Sequence, residues 1–121
     1  MNNITLIGRL TKDPEVRTTA DDNRLAVLRL AIPRRKSGED AGAVFVNVVC
    51  FGRQAEAADE YLYRGRRVAV EGRLEQREWT DSDGEARSRH EVIAERLEFL
   101  DARHRPEAAD LGADGGKPDQ D

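Results

Sequence analysis

Cysteine occurs once in this 121-residue chain and histidine twice. A single thiol cannot close a disulfide within the chain, which excludes a disulfide-stapled scaffold. One Cys with two His cannot furnish a closed four-ligand zinc site of the Cys/His type. No apolar run approaches the length of a membrane helix, and the start Met1-Asn2-Asn3-Ile4 lacks the charged-then-apolar layout of a signal peptide. No internal repeat of 20–50 residues is visible. The length suits about one domain and leaves no room for a two-domain enzyme with a cleft between halves. The default expectation is a soluble cytoplasmic domain with no metal and no cofactor.

What is present is heavily ionic: apolar residues make up 38% and charged residues 36%. The net charge of -4 is unevenly placed. Residues 106–121 hold one Lys and five acids, which is the whole net charge, and residues 1–105 are balanced. Charge alone therefore argues neither for nor against a nucleic-acid partner; placement must decide. The tail from Pro106 has two Pro, three Gly and one large apolar residue, Leu111. It cannot bury enough surface to offset its ordering entropy and is expected to be flexible. The expected division is a folded domain over 1–103 and a disordered acidic tail over 104–121.

The folded part reads as strands. Ile4, Leu6, Gly8 and Leu10 alternate with polar and outward positions, Asp13-Pro14 marks a turn or bulge, and Val16–Thr18 continues the strand. Thr19–Asn23 is a turn cluster, Arg24–Ile32 alternates, Pro33–Gly42 is a polar loop, and Val44–Phe51 is nearly all apolar. From Arg53 to Tyr63 the period changes: Ala55, Ala58 and Leu62 share a helical face, and Gly65 sits where a left-handed cap would end the helix. Val68 begins a fourth strand, Trp79–Gly84 a hairpin turn carrying an Asp-Gly signal, and Arg87–Leu100 the return strand, with Glu95 and Arg96 ambiguous between strand and helix. Five strands with one helix between the third and fourth make an all-β, five-stranded Greek-key barrel, the OB-fold arrangement.

On the third strand, Val44, Val46, Val48 and Cys50 form the lining face, and Phe45, Asn47, Val49 and Phe51 the outer one. Rings on an exposed strand face are platforms for nucleobase stacking; the competing reading packs Phe45 and Phe51 into a core or a subunit interface. Trp79, the only tryptophan, lies at the tip of the hairpin between the fourth and fifth strands, beside Arg77, and parity puts Arg73, Glu75, Arg77 and Trp79 on one face. Tip loops of this fold are where oligonucleotides bind. Short cationic groups accompany the rings: Arg34-Arg35-Lys36, Arg64 with Arg66-Arg67, and Arg9 with Lys12. Each alone reads as solvated surface; together with the rings they suggest a groove tracking a single-stranded backbone. Asp81 and Asp83 are read as turn formers rather than metal ligands, so nuclease chemistry and catalysis are not expected. Cys50 is read as buried filler.

The motifs are more specific than the pattern. Asn3-Ile4-Thr5-Leu6-Ile7-Gly8-Arg9-Leu10, Asp13-Pro14-Glu15-Val16-Arg17, Phe51-Gly52-Arg53, Glu60-Tyr61-Leu62, Gly65 through Leu74, and Trp79-Thr80-Asp81 stand in an order that resembles bacterial single-stranded DNA-binding proteins. The resemblance covers about residues 2–100. It implies a homotetramer of OB-folds that wraps single-stranded DNA in replication, recombination or repair, associated with the nucleoid, with stacking at Phe45, Phe51 and Trp79 and basic contacts at Arg17, Arg53, Arg64 and Arg77. Arg35, Lys36 and Arg73 join this set from the loop and the strand face. Glu75 and Glu78 depart from the basic residues expected at their positions, and Lys36 falls near an expected aromatic. The end, Gly116–Asp121, is acidic but has no terminal aromatic of the kind that recruits replication and repair partners, as in a paralogue or a truncated form. Two alternatives stay open: a protein–protein module of primosome type whose rings fill an interface, and single-stranded RNA as ligand, since stacking reads sugars poorly.

Overall fold

A computed structural model describes residues 1–35 and 42–101. Lys36 and the expected tail over 104–121 lie outside the described residues. Six strands and one helix follow in the order β1 (Ile4–Leu10), β2 (Glu15–Thr18), β3 (Arg24–Pro33), β4 (Ala43–Phe51), α1 (Gly52–Tyr61), β5 (Arg67–Thr80) and β6 (Ala86–Phe99). The sheet runs β1-β5-β6-β4-β3-β2, and an additional β1–β3 pairing closes it. β1 and β2 both lie along β3, at Leu10↔Leu30 and at Glu15↔Val27. They are one edge interrupted around Asp13-Pro14, so the barrel has five walls, as the alternation predicts. All pairings are antiparallel except β4–β6, which is parallel at Val48↔Val92 and Val49↔Ile93. This is the OB-fold.

The core is small. Leu10, Leu28, Leu30, Val48, Cys50, Val68, Val70 and Val92 are fully buried inside the barrel. Ala55, Ala58 and Leu62 from the helix region cap it. Fully burying one Leu or Val stabilises by about 1.5–3 kcal/mol, so each of these few positions matters. The first residues of β5 are tied to the end of β6: the Arg67 N–H donates to Asp101 Oδ2 at 2.9 Å, and Arg66, 4% exposed, stands 3.6 Å from the same oxygen and lies over the Tyr63 ring.

Four expectations are corrected. Val44 is 44% exposed rather than lining, because β4 begins beyond the cover of the barrel. Val49, expected outside, is 5% exposed, because the parallel β6 crosses β4 there and Ile93 stands beside it. The helix ends at Tyr61, with Leu62 extended, so Gly65 is not its cap. Gly65, at φ +92°, instead shapes the next turn, in which the Arg66 N–H donates to the Tyr63 carbonyl at 3.0 Å. Trp79 is not in the hairpin turn but two residues inside it, since β5 runs to Thr80 and the turn spans Asp81–Glu85.

The stretch around Glu95 and Arg96 is strand. Glu71 pairs with Arg96 and Gly72 with Ala94, which leaves Glu95 as the extra residue of a bulge. A bulge breaks the period of two, which is why the alternation blurs there. Gly72 is required at this point: a Cβ would collide with the Ile93 carbonyl oxygen. Beyond Arg73 every β5 residue is exposed, so the β5–β6 hairpin projects from the barrel as an arm.

Candidate nucleic-acid interface

The pairing register assembles one outer face from all five walls. Arg17 pairs with Leu25, and Leu25 with Phe51, giving a row across β2, β3 and β4. A parallel row runs Glu15, Val27, Val49, Ile93 and Arg73, reaching β5. These rows floor an open groove of about 540 Å³ that also takes in Asn47, Arg77 and Arg89. Four of the sequence-predicted residues, Phe51, Arg17, Arg73 and Arg77, thus line one groove. Phe51 is 45% exposed there.

Phe45 and Trp79 do not line this groove but stand beyond it on two of its strands, Phe45 past Asn47 on β4 and Trp79 past Arg77 on β5. Phe45 is 54% exposed, two residues from Asn47, and the Arg29 guanidinium lies 5.5 Å from its ring centroid. Arg29 Nη1 also donates to Asn47 Oδ1 at 3.0 Å. Trp79 is 37% exposed, on the arm just past Arg77, with Arg77 and Arg89 at 5.1 and 5.6 Å from its ring. The core-packing alternative for the phenylalanines fails within one chain, since both rings face solvent.

Arg35, Arg53 and Arg64 are exposed but do not line this groove: Arg35 follows β3, Arg53 is in the first turn of α1, and Arg64 precedes β5. The Arg64 backbone N–H donates to Asp13 Oδ1 at 2.9 Å, so its segment closes the β1–β2 break. Sequence reading missed Arg29 and Arg89. Both carried a signal: Arg29 is the one charged residue on the outer face of Leu25–Ala31, and counting back from the Asp-Gly turn sets Arg89 opposite Arg77.

Acids share the groove. Arg73 is held at 3.1 Å by Glu75 and at 3.3 Å by Glu95, and these carboxylates, Glu75 first, favour its charged form still further. Glu91, 6% exposed, sits directly opposite Glu75. Like charges facing across a strand pair repel, so the groove floor is less attractive to phosphate than its arginines suggest. Asp81 shapes the turn: its carboxylate accepts from Arg87 at 2.8 Å and from the Asp83 and Glu85 N–H groups. Arg87 first, and then these N–H groups, hold it below the usual carboxylate range.

Residues 1–100 match the family described as the single-strand binding protein family. The chain belongs to that family. It is 41% identical over 106 residues to a single-stranded DNA-binding protein of Wolinella succinogenes, covering 84% of this chain and 65% of that one. A protein of the same description from Helicobacter hepaticus is 39% identical, at 84% and 62% coverage. One from Thermotoga maritima is 41% identical, at 84% and 75%. The chain thus spans a little under two thirds of the length of the first two. The match covers the barrel and its projecting arm, which together carry every groove residue described above.

Proposed function

We propose that this protein binds single-stranded DNA without reading its sequence, by stacking bases on Phe45, Phe51 and Trp79 and holding phosphates with arginines, and that it performs no catalysis. The observation that carries this reading is the single face on which three exposed rings are accompanied by guanidinium groups. Exposed rings bind bases because every base has a π-face, and stacking is worth about 1–3 kcal/mol per base. Unpaired bases reach such rings, whereas duplex bases are already stacked. Binding protects the strand and removes its secondary structure by mass action, in replication, recombination or repair, in the cytoplasm and at the nucleoid. Among the described residues no helix is long and apolar enough to cross a membrane. A homotetramer is proposed as the working form; Ile7 and Leu74, 52% and 44% exposed on the adjacent β1 and β5, supply apolar surface for association. The division at about residue 103, with an acidic segment beyond it, belongs to the same proposal.

Titration of Trp79 fluorescence with long oligo-dT tests it, alongside duplex DNA and oligo-U. Quenching by the single strand alone, weakening with salt, is the expected result. Trp79→Ala and Phe51→Ala, read by labelled-oligonucleotide binding, each weaken affinity by roughly 5- to 150-fold with the fold intact. Absence of both quenching and binding would overturn the reading in favour of a protein–protein module.

A further inference from the structure

The cations on the binding face fall into two sets. Arg17 lies 3.6 Å from Glu15, Arg73 lies between Glu75 and Glu95, and Arg87 is 2.8 Å from Asp81. Their charge is already neutralised by carboxylates, so a phosphate must displace an acid before it gains anything. Arg29, Arg77 and Arg89 are exposed and form no ion pair with any described residue. Each lies instead over a solvent-facing ring, Arg29 over Phe45 and the other two over Trp79.

A second observation points the same way. Arg77 and Arg89 are direct cross-strand partners on the antiparallel arm. Two like charges so placed repel, and among the described residues neither forms an ion pair, although the Glu75–Glu91 pair stands next to them on the same face. An anion between them would. A base stacked on Trp79 carries its phosphate past this pair, and a base on Phe45 carries its phosphate past Arg29. Arg29 is already oriented by its hydrogen bond to Asn47.

Resting on the single-strand reading, we propose that Arg29 and Arg89 are phosphate-anchoring residues, one beside Phe45 and one beside Trp79, each coupled to an aromatic platform. With Arg77 they supply the unneutralised charge of the binding face. The strand is then gripped hardest beside Phe45 and Trp79 and more loosely over the acid-bearing groove that Phe51 lines.

The test is the salt dependence of labelled oligo-dT binding by fluorescence anisotropy, for wild type, Arg29→Gln, Arg89→Gln, Arg89→Lys and, as a paired-arginine control, Arg87→Gln. Each phosphate of a single strand that is no longer neutralised makes the slope of log K against log salt shallower by about 0.7. Arg29→Gln and Arg89→Gln are expected to bind several-fold more weakly at low salt with slopes shallower by that amount. Arg89→Lys, which keeps the charge, retains the wild-type slope, and so does Arg87→Gln. Wild-type binding with unchanged slopes in both Gln variants would overturn the assignment alone. An equally shallow slope in Arg87→Gln would overturn the division between paired and unpaired cations. Failure of the wild type to bind would overturn the single-strand reading itself.

Discussion

Cys50 shows what one buried position does to chemistry. It is fully buried, its Sγ 3.7 Å from the Ala26 carbonyl, and burial pushes its thiol from 9.0 up to about 11. The unfolded thiol ionises near 9 while the folded one keeps its proton. Stability from this residue is therefore intact below about pH 9 and falls as pH rises towards 11, by up to roughly 2–3 kcal/mol. Urea unfolding of wild type and Cys50→Ala between pH 8 and 11 checks it: the difference between them should shrink with rising pH. Alternation along β4 made Cys50, Phe45 and Phe51 legible in the sequence, because parity fixes which face a side chain takes. It does not fix depth. Val44 and Val49 come out reversed because cover depends on where other strands start and cross, which no local pattern records. Glu91 was invisible for the same reason: its burial arises from the opposing walls of the groove.

At the scale of elements, the turns and the helix were legible because their residues act locally. Asp81 organises the hairpin through its own neighbours, and Ala55 and Ala58 mark the helical face. The bulge was not legible, since it is a property of two strands together. It sets the direction of the arm that carries Trp79, which makes Gly72 a point where architecture and binding meet. Gly72→Ala would force the Ile93 carbonyl to move. Overpacking of this kind costs about 1–3 kcal/mol. Chemical denaturation should show that loss, and oligo-dT binding should weaken beyond it as the arm is re-aimed. Unchanged stability would mean that the two strands slide past the obstruction.

At the scale of the whole molecule, charge is segregated. The balanced barrel presents the groove, and residues 106–121 carry the entire net charge of -4. Acidic residues attract arginines and repel DNA phosphates. Deletion of 106–121 should leave thermal unfolding of the barrel unchanged and hold or tighten oligo-dT affinity, most visibly at low salt. Weaker binding on deletion would assign the tail a part in holding the strand. Light scattering with and without the tail reads the oligomer in the same samples.

The parallel seam between β4 and β6 sets a schedule for synthesis. Among the described residues β1 pairs with β3 and β5, and β4 gains its second neighbour when β6 arrives. About fifty residues separate the end of β4 from the end of β6. At about 5–20 residues per second, a ribosome needs about 2–10 s to deliver them. For that interval β6, whose Val92 packs in the same core as Val48, Cys50 and Leu28, is not yet complete. Chaperone capture of this protein on the ribosome should therefore rise once β4 emerges and end when β6 does.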